Sequence, residues 1–417
     1  MVIMETFSIL FVLALLLSLF IQLWLTKRQA KSIMINRDSV PDDFVAQITL
    51  EQHQKAADYT TAKLSINKTE LIYGSALLLV WTLGGGLDWV DSFVRNYEQS
   101  EIITGLIVIF GVMFISAIID LPFTLYRTFK IEQRFGFNRM TAVQFIKDMI
   151  TQTILTLVLA VPLIAGILWL MQDASPLWWI YVWAVLLSFG LLISWIFPTY
   201  IAPLFNKFTP LENEELRERI TTLMNRCGFS SNGIFVMDGS KRSSHGNAYF
   251  TGLGKNKRIV FFDTLLETLE PNEVEAVLAH ELGHFKHHHV RKGLILNAII
   301  TLVGLAILAW LIKQDAFYLA LGVSNASTYM ALILFSMVMP LLSIYLQPVM
   351  SYLSRKHEFE ADDFAAEQSQ PQILIKALVK LYRDNANTLT PDNLYSAFHD
   401  SHPPAPVRVA HLSAKIS

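Results

Sequence analysis

Ala279-His280-Glu281-Leu282-Gly283-His284-Phe285 lies between two long apolar runs and reads as helix. Residues four apart on a helix share a face, so His280 and His284 offer two imidazole nitrogens to one ion. Glu281 beside them is placed to take a proton from a metal-bound water. Two histidines and a glutamate in this order fit a hydrolytic zinc site. The flanks support a helix: Asn272 after Pro271 is the expected N-cap, and Glu275 three residues on completes a capping-box pattern. Five residues alone also fit a surface helix with two solvated histidines.

A second run, Ser354-Arg355-Lys356-His357-Glu358-Phe359-Glu360-Ala361-Asp362, reads as another helix. A catalytic zinc needs three protein ligands and one open position, and Glu358 is the expected third ligand. Asp362, one turn later, is expected to accept the free N–H of a ligand histidine and so fix its orientation. Arg355, one turn earlier, is expected to hold a carboxylate by a bidentate pair. Glu360 is the rival ligand, but two residues from Glu358 it points elsewhere on the helix. By itself the run also fits a solvated, charged helix end.

With several further stretches, these runs resemble the type I CAAX prenyl proteases, integral-membrane zinc metalloproteases that process the yeast a-factor precursor and prelamin A. The resemblance extends over nearly the whole chain. It includes Ile131-Glu132 with Gly136-Phe137-Asn138, and Phe197-Pro198-Thr199 with Ile201-Ala202-Pro203-Leu204-Phe205. It continues through Lys207-Phe208-Thr209-Pro210-Leu211, Ser243-Ser244-His245 with Asn247-Ala248-Tyr249-Phe250, and Ser401-His402-Pro403-Pro404. The resemblance implies one Zn²⁺ per chain on His280, His284 and Glu358, with Glu281 as general base and Asp362 as a catalytic-site acid. It places Asn247, His402 and Arg408 near the bound peptide or the zinc. It further implies a water-filled chamber enclosed by the membrane helices, and a peptide or protein substrate, prenylated or not, with lipidated CAAX C-termini as the type example.

Composition agrees with membrane residence. The 417 residues are 53% hydrophobic and 16% charged, with a mean hydropathy of +0.41. A net charge of −2 argues against a nucleic-acid partner. The single cysteine, Cys227, excludes an internal disulfide framework and a cysteine-based zinc site.

Seven stretches are long and apolar enough to cross the lipid bilayer: Thr6–Thr26, Thr69–Leu87, Ile102–Tyr126, Thr151–Met171, Trp178–Phe197, Gly293–Lys313 and Thr328–Gln347. The third carries Asp120, which suits either a water-filled interior or an interface. The loops alternate in charge. Residues 27–68 and 127–150 are rich in Lys and Arg, 88–101 has only Arg95, and 172–177 and 314–327 have none. The positive-inside rule then puts the N-terminus outside and both zinc-motif segments on the cytoplasmic side. The C-terminal Ala414-Lys415-Ile416-Ser417 lacks a basic retention signal, which favours a bacterial inner membrane over the endoplasmic reticulum.

The expected fold is therefore mainly α: seven transmembrane helices enclosing a chamber, with a small cytoplasmic thermolysin-like α+β peptidase unit. Residues 1–197 form five spans, 198–292 the zinc-peptidase segment, 293–347 the last two spans, and 348–417 the segment that completes the peptidase. Within 198–292, Glu212–Arg226 reads as helix, and Ile234–Met237, Ala248–Leu253 and Arg258–Phe262 read as strands. Asn247-Ala248-Tyr249 is the candidate edge on which an extended substrate pairs its main chain. It also fits an ordinary turn into a strand. Of the His287-His288-His289 tract, His287 is the nearest to a further ligand, but a zinc with two histidines and a glutamate needs none. In the tail, His402 and Arg408 are expected to donate to a developing oxyanion or hold the substrate carbonyl. The function expected is metal-assisted hydrolysis of peptide bonds. Its alternatives are a membrane quality-control protease and, from another class, a transporter or scaffold carrying a structural zinc.

Overall fold

In a computed structural model the protein is described over residues 2–97, 99–173, 175–229, 231, 233–251 and 258–416. The membrane half begins with α1 (Val2–Ile35), α2 (Leu50–Trp81), α3 (Gly86–Arg95), α4 (Glu101–Tyr126), α5 (Ala142–Asp173) and α6 (Trp178–Ile196). A polar unit follows: β1 (Phe208–Pro210), α7 (Glu214–Arg226), β2 (Ile234–Met237), β3 (Ala248–Thr251), β4 (Arg258–Phe262), α8 (Asp263–Thr268) and α9 (Pro271–Lys286). The chain re-enters the apolar half through α10 (His289–Leu311), α11 (Asp315–Ala320) and α12 (Thr328–Gln368). It ends in α13 (Pro371–Asp384), α14 (Asn393–His399) and α15 (Ala405–Ser413).

Among the described residues six helices are long and apolar enough to span, and a seventh is counted if α2 and α3, bent by 47°, are taken as one span. The sequence expects that span to run on to Leu87. It stops at Trp81, because Thr82 turns its hydroxyl back onto the Leu78 carbonyl at 2.7 Å and Gly85 takes a left-handed φ of 76°. The helices also outrun the apolar stretches. The 41 residues of α12 join the last span and the Glu358 segment in one continuous rod, despite Pro340 and Pro348 inside it. What reads as a span followed by another helix is one element.

The two largest cores lie one in each half. In the membrane half Val108, Leu168, Val182, Leu308, Tyr329 and Leu334 pack together. There Gly105 lets α4 approach Tyr329, since an added Cβ would meet that ring at 2.8 Å. Outside this core, Leu, Ile, Phe and Val side chains stay exposed along α1, α4, α5, α6 and α10, as lipid-facing surfaces require. In the polar half, Ile220, Leu223, Phe261, Leu282 and Ala365 form a second core. Its sheet has the order β1-β2-β4-β3, parallel between β2 and β4 and antiparallel elsewhere, so β3 is an edge strand. The predicted β3 continues to Leu253, but Gly252 and Leu253 lie outside the described residues. β1 goes unread in the sequence because a three-residue edge strand ending in Pro carries little pattern.

A clasp joins the halves. Phe137 stacks on His245 at 4.3 Å, Asn138 bridges Ser243, and the Ser244 amide donates to the Phe137 carbonyl at 3.1 Å. Gly136 makes the turn with φ 81°. The motifs Gly136-Phe137-Asn138 and Ser243-Ser244-His245, over a hundred positions apart, are two sides of this contact.

Candidate metal centre

The HELGH residues sit on α9, which begins at Pro271. Glu273 reaches back to the Glu270 amide at 2.8 Å, so the capping pattern lies two residues before the expected Asn272 and Glu275. The shift follows from Pro271, whose missing N–H costs nothing in the first helical turn. α9 lies against α12, and Gly283 sets how closely. A Cβ there would meet the Ala361 Cα at 2.8 Å. This approach brings Glu358 opposite the two histidines.

Three donor atoms converge. His280 Nε2 is 3.2 Å from His284 Nε2 and 3.4 Å from Glu358 Oε2, and His284 Nε2 is 3.3 Å from Glu358 Oε1. Ligands about 2.0–2.1 Å from a tetrahedral ion stand about 3.4 Å apart, so the triangle matches a small divalent cation. The hydrogen bonds around it agree. His280 Nδ1 donates to Asp362 Oδ1 at 2.8 Å, which leaves the lone pair on Nε2. His284 Nδ1 lies 3.0 Å from His289 Nδ1, and His289 Nε2 donates to Glu360 Oε2 at 2.8 Å. With these tautomers, assigned from the partners, both Nε2 lone pairs face the carboxylate. Glu358 Oε2 is buried with no hydrogen-bond partner among the described residues. An inward-facing cluster of acceptors like this fits a cation.

The surroundings are unequal. Asp362 is fully buried, and Arg408 forks onto it with Nε at 2.8 Å and Nη2 at 2.5 Å. Arg408 Nη1 stands 3.7 Å from Glu358 Oε2. Arg408 is itself buried, on the inner wall beside the donor triangle. Arg355 departs from expectation. Among the described residues it pairs no carboxylate, but donates from Nη1 to the carbonyls of Ser396, Ala397 and Asp400 at 3.1, 3.4 and 3.0 Å. These carbonyls lie at the C-terminal end of α14, where helical partners run out; Ser396 still accepts the Asp400 amide at 3.0 Å, and the guanidinium supplements it.

On the open side Glu281 is half-buried, and its carboxylate makes no hydrogen bond or ion pair among the described residues. His402, 64% exposed in its side chain, stands with Nε2 3.4 Å from Glu358 Oε1. Asn247 is exposed at the head of β3, its side chain accepting the Ala248 amide at 2.8 Å. β3 packs beside α9, with Phe250 and Phe285 rings 4.3 Å apart. His287 stacks near His289 and takes no place in the donor triangle. The sequence reading misses His289 as a partner of His284. The residues are five apart and separated by the left-handed His288 (φ 58°), so no helical spacing relates them. Glu360, weighed there as a ligand, instead ends this relay.

Comparison with known proteins agrees with the geometry. Residues 29–207 match the CAAX prenyl protease N-terminal region of five membrane helices, and residues 210–416 match peptidase family M48. A CAAX prenyl protease 1 homolog of Arabidopsis thaliana is 36% identical, covering 90% of this chain and 91% of that one. CAAX prenyl protease 1 of Saccharomyces cerevisiae is 33% identical over 93% and 91%. The crystal structure of S. mikatae Ste24p superposes with a TM-score of 0.89 at 31% identity, covering 99% of this chain and 98% of that one. The fold and site define a membrane-embedded metalloprotease. The chain belongs to peptidase family M48, among the proteins named CAAX prenyl protease 1.

Proposed function

We propose that the protein is a zinc endopeptidase that cuts extended peptides, with prenylated CAAX C-termini as its leading substrate class. The observation that carries this is the donor triangle of His280, His284 and Glu358, with an unpaired Glu281 on the same helix. Two imidazoles and one carboxylate with a fourth side open is the donor set of catalytic zinc. When bound, zinc supplies Lewis-acid polarisation of the scissile carbonyl and acidifies a water.

The chain's own residues do the rest. β3 pairs the substrate main chain in extended form beside α9, starting at Asn247. Glu281 takes a proton from the attacking water and returns it to the leaving amine. His402 donates to the oxygen on which negative charge develops. Asp362 and Arg408 hold His280 in its tautomer and keep Glu358 in place, and Asp362 stays buried throughout. The positive-inside distribution supports an N-terminus outside and a site that opens toward the cytoplasm.

The test is metal analysis combined with digestion. Purified protein should hold about one zinc per chain. A farnesylated CAAX peptide, its unlipidated twin, an unrelated extended peptide and a tightly folded domain are then compared by mass spectrometry. The extended peptides should be cut and the folded domain spared. Rapid internal cleavage of the folded domain would overturn the reading. A strict need for the farnesyl group favours dedicated prenyl-protein processing over general membrane quality control.

A further inference from the structure

A polar cavity of about 430 Å³ adjoins the metal centre, and His402 is on its wall. Lys63 of α2 lines it too, with Asn67, Tyr382, His399 and Asp400. A second cavity, about 660 Å³ and more apolar, lies between α1, α2 and α12 and shares Asn67 and His399 with the first.

Among the described residues, two charged side chains in these cavities, Asp400 and Lys63, take part in no ion pair. Arg127, in the larger one, is ion-paired to Glu70. His399 stacks on Tyr395 at 4.1 Å and its Nδ1 faces the Tyr395 carbonyl at 3.1 Å. His402 faces Glu358. Burial pushes the Asp400 carboxyl above the usual carboxylate range, against the charges of His399, Arg355 and His402. The Lys63 ammonium lies 4.2 Å over the Tyr59 ring, with no carboxylate within 4.0 Å among the described residues. Glu132, whose charge reaches it, already accepts the Tyr59 hydroxyl at 2.6 Å and lies 3.6 Å from His245 Nε2. A cation inside a polar cavity, stacked on an aromatic face and lacking its own carboxylate, is arranged to receive an anion.

We propose that this cavity seats the C-terminal carboxylate of the substrate, with Lys63 as the residue that binds it. The inference rests on the peptidase reading above. A chain pinned at the metal and running past His402 meets Lys63 within a cavity that holds only a few residues. The free C-terminus is then measured from the scissile bond, so the protein selects for cuts close to the end of a chain. The apolar cavity beyond Asn67 leaves room for bulky side chains next to that path.

Acid and amide forms of one unlipidated peptide test this. Their binding is measured by fluorescence anisotropy on zinc-loaded Glu281→Gln protein, and their cleavage on the unmodified enzyme. The acid should bind about 10- to 100-fold more tightly than the amide, the range expected for a charge-assisted contact. Adding Lys63→Gln should bring that ratio to about one, and Lys63→Arg should recover most of it. Thermal melts of the three proteins report whether the fold is kept. Equal affinity for acid and amide, or a preference that survives Lys63→Gln, overturns the carboxylate seat. Cleavage of both forms with no preference does so while leaving the peptidase reading standing. Failure to bind or cut any peptide overturns both.

Discussion

The two histidines of one helical turn are held by different means. His280 donates straight to a fully buried carboxylate, Asp362, which is locked by the fork of a buried Arg408. His284 leans on a second imidazole, His289, which leans on Glu360, a carboxylate 29% exposed with Lys292 and Lys356 at 3.8 and 3.9 Å. Buried charges interact strongly in a low dielectric, while exposed ones are screened. The inner arm is therefore the rigid anchor. The outer arm is the tunable one, with a partly exposed carboxylate at its end.

The largest effect is expected where this contrast is sharpest. Glu281→Gln keeps the shape of the open side and leaves the triangle intact. Turnover should fall about 10²- to 10⁴-fold with zinc content unchanged by metal analysis. A rate near that of the unmodified enzyme would remove the base from the mechanism. Next comes the inner arm. Asp362→Asn should weaken zinc affinity about 10- to 100-fold in a chelator competition, because one neutral oxygen replaces the two charged ones shared by His280 and Arg408, and the buried Arg408 loses its counter-charge. The outer arm should yield less. Glu360→Gln should lower zinc affinity by no more than about 10-fold, the low end of the range for groups that orient ligands. If Glu360→Gln costs more than Asp362→Asn, the ranking of rigid and tunable arms is reversed.

The smallest effect on the metal centre itself should come from the foot of α9, far from the triangle, where the change is in stability. Glu273 is fully buried, and Lys380 Nζ at 2.7 Å, the Glu270 amide at 2.8 Å and Lys376 Nζ at 3.3 Å surround it. Burial pushes its carboxyl up, but Lys380 first, then the Glu270 amide and Lys376, hold it below the usual range. A lowered folded pKa contributes stability that is present above the unfolded value, about 4.3, and is lost as pH falls through the folded value. Glu273→Gln should therefore cost about 2 kcal/mol near neutral pH, seen as a lower thermal midpoint, and the gap should close in acid below about pH 4. A gap that widens in acid would contradict the sign.

Legibility differed between local and non-local features. The two zinc-motif helices, β2 and β4 were readable because hydrophobic period and short motifs are local. The spans were readable as apolar stretches, but the bend after Trp81 was not, because it depends on Thr82 and Gly85 ending the helix between two otherwise apolar runs. Glu358 could be chosen as a third ligand by its distance from Asp362 along a helix. The functions of Arg355 and Arg408 could not be chosen the same way. Each guanidinium reaches whichever unsatisfied acceptor the fold delivers, and those acceptors sit 41 to 46 residues away in sequence.

By itself the sequence determined the chemistry available: two histidines and a base on one helical turn, a carboxylate on a later helix, and apolar runs that commit the chain to a bilayer. The tertiary structure alone decided how these act together. Gly283 against Ala361 closes α9 onto α12, the continuous α12 carries Glu358 straight out of the last span, and a clasp between Phe137 and His245 ties the membrane half to the strand beside the site. The reason is that helical and strand periods fix only which residues share a face. Which faces meet, and which buried polar groups must then find one another, is set by close packing between elements far apart in the chain.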